Sequence, residues 1–250
     1  MTSLADFAVG MLIGVTCATT LLGLAMGGLL DRAAWRAVQG EPRESRNLPV
    51  RICCAALYLL VLWRYGITLQ GLEMGGLASV LLVASLTDLY DYLIPNGCIV
   101  AAIAIRVSYL AICALRGMEV AAVATESLVG AVAVTLPLAL LVLVMDRVLG
   151  RPSMGGGDLK LFAVAGLYFG WQQCIFLVAV ACLLGIAFAL AGRRRAKTDG
   201  PSEAPEPSEV PEPSEAPRDA FPFGPSIAAA MVVTMLCGGQ ALAWYIGLLV

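Results

Sequence analysis

Several apolar runs along this chain approach or exceed twenty residues, and they leave few folds open. The apolar segments fall at about 8–30, 52–69, 74–93, 98–115, 123–145, 158–170, 174–191 and from 226 to the last residue. A spanning helix needs roughly 20 apolar residues. Inside a bilayer every backbone polar group must be satisfied within the chain, so runs of this kind read as helices. The composition agrees: of 250 residues, 60% are hydrophobic and only 14% are charged, against about a quarter charged in soluble domains. The expectation is an all-α fold: a polytopic membrane helical bundle of about eight transmembrane helices, forming one domain over 1–250.

The basic residues orient that bundle. Arg32, Arg36, Arg43, Arg46 and Arg51 lie in a short polar link expected at 31–51. Arg147, Arg151 and Lys160 flank a glycine-rich loop, and Arg193, Arg194, Arg195, Lys197 and Arg218 follow the seventh expected helix. With eight spans all of these fall on one side, which the positive-inside rule makes cytoplasmic. Both termini are then expected outside. The first apolar run lacks a basic leader and a cleavage site, and reads as a retained span. Within 199–220 the sequence repeats PSEAPE-PSEVPE-PSEAP; proline and glutamate at this density cannot build a core, so a disordered cytoplasmic insertion is expected there.

The chemistry open to the chain is narrow. There is no histidine, which removes the commonest general base, and the eight cysteines sit in apolar segments without a C-x-x-C pair. The cysteines read as small apolar residues, and neither a metal site nor a cofactor is expected. What remains are acids in membrane segments, which are functional candidates by default.

Two stand out. Asp158 follows Met154-Gly155-Gly156-Gly157 and opens an apolar run; Asp88 lies seventy residues earlier in Thr87-Asp88-Leu89-Tyr90-Asp91-Tyr92-Leu93-Ile94-Pro95-Asn96. Pro95 with Asn96-Gly97 predicts a turn that ends the third helix. Asp88 is six residues before Ile94, about 9 Å deeper along a helix axis, and faces the bundle interior in this reading. Asp158 sits at a helix start. Two carboxyls that share a proton can activate a water and protonate a carbonyl or leaving amine, which is proteolysis by general acid–base attack without a covalent intermediate. Gly155 and Gly157 would let a peptide backbone lie close to Asp158, and Lys160 would tune Asp158 or contact lipid headgroups. Against this stand plainer readings. An aspartate at a helix end is often only interfacial, Asp91 reads as solvated, and the glycines fit a passive linker or an anion-binding nest. Arg64 and Arg106 would snorkel or pair with acids.

The two motifs together resemble the prepilin peptidase family, the type IV leader peptidases. The resemblance rests on an aspartate followed at the seventh position by proline, Asp88 to Pro95, and on G-x-G-D-x-K-L, Gly155 to Leu161. Trp63-Arg64-Tyr65-Gly66 and Pro222-Phe223-Gly224-Pro225 support it, and it covers about residue 52 to the end apart from the Pro/Glu stretch. It implies a membrane aspartyl endopeptidase with Asp88 and Asp158 as catalytic residues and with Gly155, Gly157, Lys160 and Pro95 placing substrate and loop. The implied partners are prepilin or pseudopilin precursor peptides and the lipid bilayer, not nucleic acid, and the place is the inner (plasma) membrane with the site facing the cytoplasm. Longer members carry two C-x-x-C pairs between the first two spans and also methylate the new N-terminus. The link at 31–51 contains no cysteine, which puts N-methyltransferase activity in doubt. A reading from another class, an ion- or proton-coupled transporter or assembly protein, fits charged residues in broken helices.

Overall fold

The structure, a computed structural model, describes residues 4–37, 47–198 and 222–249. The middle of the expected first link, with Arg43 and Arg46, and the Pro/Glu stretch with Arg218 lie outside the described residues. Among the described residues the fold is all helical: α1 Leu4–Ala37, α2 Asn47–Tyr65, α3 Leu69–Asp91, α4 Asn96–Leu115, α5 Ala121–Leu149, α6 Gly156–Thr198 and α7 Gly224–Leu249. All seven are long and apolar enough to cross a membrane.

Seven helices stand where about eight were expected because the sixth and seventh expected spans are two arms of α6. They meet at Gly170, whose φ of 69° and ψ of 171° are not helical. Only glycine visits that backbone region without strain. The contacts show that the arms run in opposite directions. On the first arm Lys160 meets Asn96 and Tyr168 meets the carbonyl of Ala102, so this arm rises alongside α4. On the second arm a Cβ added to Gly238 would reach Gln173, and one added to Gly185 would strike the Phe223 ring. That order runs opposite to α7 and returns the chain to the end where α3 finishes and α6 begins.

Other boundaries moved for local reasons. α1 runs through Asp31, Arg32 and Arg36, and Arg51 belongs to α2, so the expected link at 31–51 is helical at both ends. α3 starts earlier than its apolar run, because the Thr68 hydroxyl caps it by accepting from the Gly71 amide at 3.0 Å. That start places Glu73 inside the helix rather than in a link. Its charge is met there by Arg106 at 2.9 Å. Pro137 sits inside α5 without ending it.

The core is built from α3, α6 and α7: Leu77, Leu81, Leu161, Leu177, Ile227 and Met231 are all fully buried. Close helix approach is set by small residues, as is usual in lipid. A Cβ on Gly130 or Gly166 would overlap the other's backbone, which holds α5 against the first arm of α6. At the end of the bundle away from Asp88, Tyr65 donates to the carbonyl of Met235 (2.7 Å) and Arg64 to that of Leu236 (3.1 Å). At the near end Trp35 of α1 stacks on Tyr90 of α3, ring centroids 5.0 Å apart. The first residues of α1 and the last of α7 therefore lie at the same end, opposite Asp88.

Candidate active site

α3 delivers the first aspartate. Its helix stops because Tyr92 takes a left-handed conformation (φ 51°) and returns its N–H to the Asp88 carbonyl at 3.1 Å. Pro95 then caps α4. Asp88 thus sits one turn inside the helix end, 5% exposed, while Asp91 at the terminus is exposed and outside the cavity described below.

The loop after α5 delivers the second. Gly150 ends α5 in a left-handed conformation (φ 65°), and Asp146 then gathers the loop by accepting from both the amide and the hydroxyl of Ser153, each at 2.6 Å. The Asp158 amide donates to the Gly155 carbonyl at 3.1 Å, closing the first turn of α6. Asp158 is 9% exposed. Of the neighbouring glycines only Gly157 is required by close approach: a Cβ there would stand 3.0 Å from that of Ile94. Gly155 would meet only the Asp158 carboxyl, at an ordinary 3.4 Å, and Gly156 faces open space.

The structure brings all six sequence-predicted positions together. Asp88, Asp158, Gly155, Gly157, Lys160 and Pro95 line one cavity of about 420 Å³, along with Tyr92, Leu93, Ile94, Asn96 and Gly156. Lys160 donates to Asn96, another lining residue, at 2.7 Å. A second cavity of the same size lies at the opposite end, around Arg64, Tyr65 and Gln173, but no carboxylate lines it.

One contact was not anticipated. The amide of Gly224, the first residue of α7, donates to Asp88 Oδ2 at 2.8 Å. The sequence marks Pro222-Phe223-Gly224-Pro225 only as part of a resemblance. The available signal was a glycine followed by proline at a helix start, which leaves one free amide with no helical partner.

The pattern of the family described as type IV leader peptidase matches residues 75–190, a stretch that contains both aspartates. Over that stretch the chain is similar to the type IV leader peptidase family, and curated relatives support the same family. Among curated relatives, the prepilin leader peptidase/N-methyltransferase of Pseudomonas putida is 29% identical over 78% of this chain and 59% of its own length. The protein of the same name from Stutzerimonas stutzeri is 26% identical over 85% of this chain and 68% of its own. That from Bacillus subtilis (strain 168) is 28% identical over 77% and 66%. The chain thus spans about three fifths to two thirds of the length of these relatives. No solved structure matches it.

Proposed function

We propose that this protein is an aspartic endopeptidase that removes the leader peptide of type IV prepilin-like precursors. The observation that carries the reading is the meeting of Asp88 and Asp158, from α3 and α6, in one cavity at one end of a membrane bundle. One carboxylate takes a proton from water as the water oxygen attacks the scissile carbonyl carbon. The other carboxyl gives its proton to the carbonyl oxygen. As the C–N bond breaks, the first carboxyl gives the proton it took from water to the departing amine, and the second takes a proton back from a hydroxyl of the adduct, which collapses to the free acid. No covalent intermediate forms on the protein.

The site faces the cytoplasm of the inner membrane in this proposal, since Arg32, Arg36, Arg51, Arg147, Arg151 and Lys160 lie on helix ends and a loop at the end that holds the cavity. A precursor places its basic leader near these acids and keeps its apolar stretch in the bilayer. The relatives' names pair the peptidase with an N-methyltransferase. We propose that this chain carries the peptidase without the methyltransferase, because the link between α1 and α2 has no cysteine.

Incubating a prepilin-type precursor with membranes containing the protein, then sequencing and weighing the mature product, tests both statements. The reading expects a single new N-terminus without an added methyl group. An intact precursor across several such substrates would move weight to an ion-coupled carrier, and a methylated product would overturn the second statement.

A further inference from the structure

The start of α7 lies outside the residues matched to the family, 75–190, yet it reaches Asp88, one of the residues that line the cavity. Its amides can be accounted for one by one. Gly224 N–H goes to Asp88 Oδ2 at 2.8 Å. Pro225 has none. Ser226 and Ile227 donate to the Phe223 carbonyl, at 3.0 and 3.2 Å. A helix N-terminus leaves several amides unpaired; here the first is spent on a carboxylate in another helix.

The fit admits no side chain at 224. A Cβ there would stand 2.7 Å from Asp88 Oδ2, 2.9 Å from Cγ and 3.1 Å from Cβ. The last two atoms cannot swing aside without moving the carboxyl itself. The preceding residue is pinned as well: a Cβ on Gly185 would lie 2.5 Å from the Phe223 ring, so the ring rests on the bare backbone of α6. Phe223 on α6 and Gly224 on α3 therefore fix the entry of α7 at two points.

We propose that Gly224 is a positioning residue of the aspartate pair: its amide holds Oδ2 of Asp88 and leaves Oδ1 as the oxygen that meets water and substrate. Gly224 then joins α3 and α6 in building the site. This inference rests on the reading of Asp88 and Asp158 as the catalytic pair.

The test uses the full-length protein and a prepilin-type precursor, with kcat and KM measured separately. Gly224→Ala keeps the amide and adds the clashing carbon. Glycolic acid at 224, introduced by translation, replaces the amide with an ester and adds no carbon. An ester at 227 removes a hydrogen bond of α7 that does not touch Asp88. The expected loss in kcat is about a hundredfold for Gly224→Ala and about ten- to a hundredfold for the ester at 224, the range for a hydrogen bond to a charged group. KM stays within about threefold in both, because a reacting group is misplaced while the groups that bind substrate stay where they were. The ester at 227 retains kcat. Unchanged kcat in the ester at 224, or an equal loss in the ester at 227, would overturn the inference. Undiminished cleavage by Asp88→Asn in the same assay would overturn the catalytic pair itself, so the two failures are distinguishable.

Discussion

Lys160 and Asn96 are joined across 2.7 Å, the ammonium donating to the side-chain carbonyl and tying the first turn of α6 to the first residue of α4. Both line the cavity with the two aspartates. The bond is exposed and screened by solvent, so its contribution to stability is small. Its effect lies in register: Asp158 is two residues from Lys160, and α4 follows directly from the turn that ends the helix of Asp88. Lys160→Met is expected to leave the melting temperature almost unchanged and to lower precursor cleavage about tenfold. Full cleavage in that variant would return Lys160 to a role at the lipid headgroups.

Gly157 and Gly156 look interchangeable in sequence but differ in space. A methyl at 157 must push Ile94 away, whereas one at 156 meets nothing within 4 Å. Because Ile94 belongs to the turn between the helix of Asp88 and α4, Gly157→Ala displaces the two aspartates from each other. Cleavage should fall by up to about a hundredfold, the scale for a misplacement near 1 Å, and by more than in Gly156→Ala. Equal activities for the two variants would show that the approach of α6 to Ile94 does not set the site.

Arg106 and Glu73 form a buried pair at 2.9 Å, the arginine also donating to Ser127 at 2.8 Å and joining α3, α4 and α5. Removing one partner leaves a charge unpaired away from water. Arg106→Leu or Glu73→Leu alone is expected to destabilise the protein by about 3–5 kcal/mol, and the double replacement by much less. Thermal unfolding of the purified protein in detergent reads this. A double variant as unstable as either single one would remove the pair as the cause.

Gly170 is where α6 reverses, at φ 69° and ψ 171°. Gly170→Ala is expected to cost about 1–3 kcal/mol from the backbone alone. Gly75→Ala, inside α3 with open space around it, is expected to be neutral or slightly stabilising. Unfolding curves of the two variants compare them directly; equal melting temperatures would contradict the account of the α6 turn.

The sequence is most legible where chemistry is local. Hydropathy locates the helices, Pro95 locates the turn after Asp88, and the six predicted site positions all line the same cavity. The break at Gly170 is legible near its true place, since a short apolar run followed by Trp171-Gln172-Gln173 signals an interface. What escapes depends on distant partners. Glu73 looks like a link residue because its neutralising arginine is thirty-three positions away. Gly224 carries no visible role because its acceptor is 136 residues earlier. Gly155 and Gly157 look alike until Ile94 is placed beside only one of them. A periodic pattern reports which face of a helix is buried, not which backbone amide meets which carboxylate.

The central claim is that Asp88 and Asp158 act as one catalytic pair. The most direct test is cleavage of a prepilin-type precursor by membranes containing the unaltered protein, Asp88→Asn or Asp158→Asn at matched expression and insertion. The account predicts that each substitution alone abolishes cleavage, because each carboxyl carries a proton transfer the other cannot perform. Undiminished cleavage by either variant would contradict it and remove that aspartate from the mechanism.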